Sequence, residues 1–382
     1  MRRERIGRGL TLVALGTLFA CVGENQAAPG SAGASGAFTK GGDDRTGPYA
    51  VVEGWWKPAS DHTDEWTWGS VSGVAADTPD RIIVSTWGDE NAQRQERPGS
   101  TNYLMVVDRN GDIVENWSQW DSLFYKPHQV YINPYDPERH IWLIELGGNG
   151  VHEQILKFTN DGSELVMRLR DPQPVMTEEE TRKNRNPGPF NFGQPSVLAF
   201  LPDGHFLLGD GYYNGRIVKY TADGEYVMEF GSVGTGPGQF DLIHGIAVDR
   251  NGRIYVADRM NQRIQVFTED GEFIEEWPDI YDPVGIFIDQ NDAILVLDGT
   301  LNRMLKYSLE GELLDYWGAY GEVSSMGRSG WPGGMSLPHQ MDMDEDGNLY
   351  VASWGGPWLD KFVPRPDADP ARLIGKRQVA MH

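Results

Sequence analysis

Between His244 and Trp277, apolar and polar residues alternate in four short runs, HGIAVD, RIYVAD, RIQVF and EFIEEW. An Asn-Gly turn, a polar loop and an Asp-Gly turn separate them. Two-residue alternation between such turns predicts antiparallel strands. The pattern recurs in PSVLAFLPDGHFLLGDGYYNGRIVKYTADGEYVMEF, where Asp210 falls under Asp258 and Ser196 under His244. It recurs again in VGIFIDQNDAILVLDGTLNRMLKYSLEGELLDYW, with Asp298 under Asp258 and Val284 under His244. HQMDMDEDGNLYVASW, SGVAADTPDRIIVSTW and HQVYINPYDPERHIWLIE, the last with a longer first turn, bring the copies to six.

Units of about 40 residues with four strands each indicate a β-propeller, because one twisted sheet cannot bury both faces alone but can when packed radially between two others. The last copy ends near Phe362 without a fourth strand, whereas YAVVEGWW (49–56) reads like the closing strands EFIEEW and ELLDYW. The prediction is an all-β, six-bladed propeller over residues 49–365, closed by this N-terminal strand so that no edge stays open. A tail of residues 366–382 follows it.

The aligned column at the start of each innermost strand reads Ser72, His128, Ser196, His244, Val284, His339. Alternate blades of a six-fold ring lie about 120° apart around the channel. Three imidazoles therefore converge on the axis. Zinc takes about four ligands, and catalytic sites supply three from protein and leave one position to water or substrate. A single histidine here reads as a strand-end residue bonded to a neighbouring carbonyl. The alternating set reads as an open metal site. His62, His140, His152, His205 and His382 share no such column.

The remaining motifs read as structure. Most of the 13 tryptophans end blade strands and pack between blades. TEEETRKNRNPGPFNFG, from Thr177, reads as a solvated loop between the second and third blades. GSVGTGPGQF, from Gly231, lacks the Lys-Ser/Thr ending of a phosphate loop and reads as an interblade turn. A formal charge of −23 argues against nucleic acid as a partner. Residues 1–20 have a basic start and an apolar stretch, the pattern of a signal peptide. Leu18, Phe19, Ala20 and Cys21 resemble the lipobox of bacterial lipoproteins, which makes Cys21, the only cysteine, the expected lipidation site. Residues 21–48, rich in Gly, Ala and Ser, then form a lipid-anchored flexible tether. The expected location is the outer membrane facing the periplasm, since Val22 rather than Asp follows the cysteine, or the exterior.

GSVGTGPGQFDLIHGIAVDRNGRIYVADRMNQRIQVF resembles an NHL repeat. Among NHL propellers the chain most resembles the peptidyl-α-hydroxyglycine α-amidating lyases. The resemblance is carried by KPHQV around His128, DGYYNGRIVKY around Tyr212, HGIAVD and VADRMNQRIQVF around His244 and Arg259, and LPHQ around His339. It implies zinc on His128, His244 and His339, Tyr212 beside the metal, and Arg259 on the substrate carboxylate. It also implies cleavage of the carbon–nitrogen bond of an α-hydroxyglycine-like small molecule or peptide in the central channel, giving an amide and glyoxylate. Zinc lowers the pKa of a bound hydroxyl. Tyr212, with its own pKa lowered by the dication, would take or relay the proton. Arg259 offers a planar fork to a carboxylate.

The chain departs from that family at several positions. Trp87 stands where the family has a second arginine, for which Arg94 or Arg97 are stand-ins. Gln340 replaces a calcium-ligating Asp, which leaves only the main-chain carbonyls of Val74 and Val130 as structural calcium donors. Leu337 replaces a Met on the cavity wall, an apolar exchange. Two other readings accompany the lyase. One is a lactonase- or esterase-like hydrolase, whose calcium is usually held by oxygen ligands. The other is a non-catalytic NHL binding platform that stacks a ligand on Trp87 and Trp354. Fold alone does not choose among the three.

Overall fold

The computed structural model describes residues 45–57, 69–88, 101–148, 150–171, 174–183, 188–318, 323–324, 327–328, 333–356 and 358–378. The expected signal peptide and Cys21, most of the expected tether, Arg94 and Arg97 lie outside them. The described chain forms six four-stranded antiparallel sheets, the six blades of a propeller. Their innermost strands are Val71–Thr78, Pro127–Ile132, Val197–Phe200, Ile243–Val248, Pro283–Ile288 and Pro338–Met343, in blades 1 to 6. Tyr49–Val51 pairs antiparallel with Trp358–Pro364 and supplies the fourth strand of blade 6.

One packing device repeats around the ring. The large residue closing each blade's outermost strand sits on the turn glycine of the next blade. Trp117 meets Gly162, Leu169 meets Gly224, Phe230 meets Gly271, Trp277 meets Gly311, Trp317 meets Gly47, and Trp55 meets Gly111. All six glycines have left-handed φ, which a side chain rarely tolerates. A Cβ on Gly47 would also lie 2.6 Å from Trp317 Cγ. Gly47 and Trp55 flank the closing strand, so the N-terminal segment continues the interblade packing as well as the hydrogen bonding.

A second device, an ion-paired clasp, occurs in three blades. Asp210, Asp258 and Asp298, all buried, pair with Arg216, Arg263 and Arg303 at 3.0, 2.9 and 2.8 Å. Each carboxylate also accepts a backbone N–H from the turn ahead of its innermost strand, at Gly193, Asp241 and Asp282. The clasp thereby fixes the segment that leads into the channel. The corresponding residues of blades 1, 2 and 6 are Thr86, Glu145 and Ser353, which lack such an arginine.

Residues 366–378 fold back under blades 5 and 6. Lys306 Nζ donates to the carbonyls of Ala371 and Leu373 at 2.8 Å, and Gly375 N donates to Asp289 at 2.7 Å. Arg377 pairs with Asp342 at 2.8 Å and lies over Phe287. Arg377 and Gln378 line the channel at the end away from the histidines. Among the described residues no helix is long and apolar enough to cross a membrane.

Candidate metal centre

The strand pairing itself aims the column residues inward. Ser72, His128, His244, Val284 and His339 each stand at a register shift between the innermost strand and its neighbour. A β-bulge turns a side chain away from the regular pleat, here into the channel. His128, His244 and His339 are buried, and one nitrogen of each lies within 4.8 Å of the other two. Their ring centroids are 4.5 to 5.1 Å apart.

The remaining column residues orient these rings. His128 Nδ1 is 2.7 Å from the carbonyl of Ser196, His244 Nδ1 is 2.7 Å from that of Val284, and His339 Nδ1 is 2.7 Å from that of Ser72. A carbonyl only accepts, so each Nδ1 carries the proton and each Nε2 is left as a lone pair. Blades 2, 4 and 6 thus supply imidazoles, and blades 3, 5 and 1 fix their tautomers. Metal-binding histidines characteristically donate their second nitrogen in this way. Burial is the main cause that holds all three rings neutral. His128 and His244 lie well below the ordinary histidine pKa, and His339 falls to about 4. Three neutral, converging nitrogen donors with a fixed second shell suit zinc.

Tyr212 caps the triad, its hydroxyl 3.3 Å from both His128 Nε2 and His244 Nε2. Burial pushes its phenol up to about 12, so the hydroxyl keeps its proton in the metal-free pocket. A lowered pKa therefore depends on positive charge entering the site. Arg259 reaches the same cavity, its Nε 2.5 Å from Asp282 Oδ1 and its Nη2 3.4 Å from Oδ2. Asp282 is fixed in turn by the backbone N–H and hydroxyl of Thr300 at 2.9 and 2.6 Å. The guanidinium is therefore held along one edge.

His128, His339, Tyr212 and Arg259 line a cavity of about 300 Å³, as do Trp87, Leu337 and Trp354. Trp87 and Trp354 meet edge to face at 5.6 Å. Sequence reasoning missed Lys126, Gln194 and Asp282, which line the cavity too. Each lies two residues before a member of the histidine column. Leu337 occupies the same place in blade 6. The signal was present in the repeat alignment, two positions upstream of the residues that drew attention. The Thr177 insert is exposed at Thr177, Glu179, Glu180, Arg182 and Lys183, as a solvated loop should be. Its short helix Glu178–Lys183 places Arg182 on Tyr213, a cavity residue, with the guanidinium 5.2 Å from the ring centre.

Calcium does not fit where the main chain of Val74 and Val130 offered it donors. Gln340 Oε1 accepts from Val74 N at 3.0 Å and Val130 N at 3.2 Å, and its Nε2 donates to the Val130 carbonyl at 2.8 Å. That carbonyl is occupied, and the two N–H groups face an amide oxygen rather than a cation. Gly73 is what admits this amide, since a Cβ there would lie 2.6 Å from Gln340 Oε1. The glutamine ties blades 1, 2 and 6 together without an ion.

Residues 240–267, in blade 4, match the NHL repeat family. The chain is 28% identical over 320 residues to NHL repeat-containing protein 3 of Homo sapiens, covering 83% of this chain and 84% of that one. It is also 28% identical over 233 residues to peptidyl-alpha-hydroxyglycine alpha-amidating lyase 1 of Drosophila melanogaster, covering 55% of this chain and 40% of the lyase. A solved structure of streptogramin B lyase superposes with a TM-score of 0.52 at 16% identity, over 78% of this chain and 95% of that one, a likeness of fold alone. The chain is therefore a six-bladed propeller with an NHL-repeat match in blade 4, and it is similar to amidating lyases.

Proposed function

We propose that the chain is a zinc-dependent lyase that cleaves the carbon–nitrogen bond of an α-hydroxyglycine-like substrate to an amide and glyoxylate. The observation that carries this reading is the histidine triad, each ring oriented by a backbone carbonyl from the next blade, with the Tyr212 hydroxyl 3.3 Å from two of the inward nitrogens. The likeness to an amidating lyase supports it.

His128, His244 and His339 would hold the zinc, which when bound polarises the substrate hydroxyl and eases loss of its proton. Tyr212 Oη is placed to take that proton and return one to the departing nitrogen. The carbon–oxygen bond gains its second bond as the carbon–nitrogen pair leaves with nitrogen, so no oxidant is needed. Arg259, steadied by Asp282, grips the carboxylate and sets the angle of the substrate. Burial of the triad keeps bulk water from competing for the last coordination position.

Glyoxylate release from an N-acyl α-hydroxyglycine tests the reading. Tyr212→Phe is expected to lower kcat by about 10²- to 10⁴-fold with zinc retained. Unchanged turnover in that variant, or no turnover in the zinc-loaded wild type, contradicts it. A second reading, a non-catalytic NHL binding platform, is favoured by Trp87 in place of an arginine and by the longer match to NHL repeat-containing protein 3. In that case histidine substitutions leave function intact. The sequence of residues 1–21 supports export and lipidation at Cys21 as a further proposal. Fatty-acid labelling that survives Cys21→Ala would refute it.

A further inference from the structure

The cavity wall is chemically divided. Blades 2, 3 and 4 contribute Lys126, Tyr212 and Arg259, whereas blades 1 and 6 contribute Trp87, Leu337 and Trp354. Asp282 is the one acid among its described lining residues, and Arg259 pairs with it. The structure assigns to Lys126 the role of second carboxylate-binding cation of this cavity, a specificity-determining residue for an anionic substrate. The assignment rests on the lyase reading above.

Three observations place the ammonium. The Lys126 backbone is pinned from both sides, its N–H donating to Glu145 Oε1 at 2.8 Å and its carbonyl accepting from Leu146 N at 3.2 Å. The side chain therefore starts from a fixed point two residues before His128. Its Nζ lies 6.0 Å from the Trp87 ring centre and 5.4 Å from that of Tyr125, within cation–π range. Trp87 is itself locked, its Nε1 donating to the Pro127 carbonyl at 3.1 Å. The indole that stands in place of an arginine thus keeps positive charge in its quarter of the cavity by holding a lysine there.

Tyr212 belongs to the blade between those of Lys126 and Arg259. Both cations line the same cavity as Tyr212, His128 and His339, so a carboxylate held by them lies in the chamber of the triad. The remainder of the substrate would then extend toward Trp87, Leu337 and Trp354. An anionic head with an apolar or aromatic acyl group on nitrogen matches that division. A flexible ammonium adapts to the carboxylate where a rigid second fork is missing.

The test is calorimetric titration of the zinc-loaded protein with glycolate, which carries the hydroxyl and carboxylate alone, and with uncharged glycolamide. Lys126→Met is expected to weaken glycolate binding about tenfold or more, to leave glycolamide unaffected, and to retain wild-type zinc content and melting temperature. Lys126→Arg is expected to restore most of the glycolate affinity. If Lys126→Met binds glycolate as the wild type does, the assignment is overturned and the lyase reading stands. If the zinc-loaded wild type binds no glycolate, both are overturned.

Discussion

Blades 3, 4 and 5 differ from blades 6, 1 and 2 in how they hold the segments that enter the channel. The first three use one buried Asp–Arg clasp repeated almost unchanged, at 3.0, 2.9 and 2.8 Å. In the others the same position holds Ser353, Thr86 and Glu145, each solved differently. Thr86 Oγ1 donates to the Asn102 carbonyl at 2.7 Å, and Glu145 accepts the N–H groups of Tyr125, Lys126 and Gly147. Ser353 Oγ has no partner among the described residues. The histidines ignore this boundary, two on the unclasped side and one on the clasped side. Scaffold regularity and site chemistry are therefore independent layers of the same repeat.

The largest effect should come from breaking a clasp. Arg263→Ala leaves Asp258 buried and unpaired, and should cost about 3–5 kcal/mol in urea unfolding. Thr86→Ala, at the corresponding position of blade 1, removes two neutral hydrogen bonds and should cost about 1–2 kcal/mol. Ser353→Ala should stay within about 0.5 kcal/mol of the wild type. Equal losses at the three positions would erase the distinction between the two halves.

That distinction also explains what could be read from sequence. Blades 3 to 5 announce themselves through the aligned Asp210, Asp258 and Asp298, and the histidine column follows once they are aligned. Closure by Tyr49–Val51 was legible because Trp55 and Trp56, which follow it, match the tryptophans of other closing strands. Lys126 and Asp282 were not, because a residue two places before the column becomes a wall residue only when the chain enters the channel mouth there. Nor was the role of Gln340. Its amide does its work through main-chain groups of two other blades, which leave no mark in side-chain pattern.

Acid should act on the triad. The folded state holds these histidines neutral, with His339 near 4 against an ordinary 6.5. Between those values the unfolded chain binds more protons, so metal-free protein should lose stability as pH falls from about 6.5 through 4. Above 6.5 this contribution is fully present. Melting curves across that window should be flatter for His339→Ala, and an identical slope would contradict the assignment. The smallest effect concerns calcium. A calcium-selective chelator should leave the melting temperature unchanged because Gln340 fills that place, and a substantial drop would reinstate the ion.

Zinc stoichiometry tests the central claim most directly. Elemental analysis of the purified propeller, wild type and His244→Ala side by side, should give about one zinc per chain in the first and none in the second. Zinc absent from the wild type, or bound equally by both, would contradict the metal centre and the lyase proposed from it.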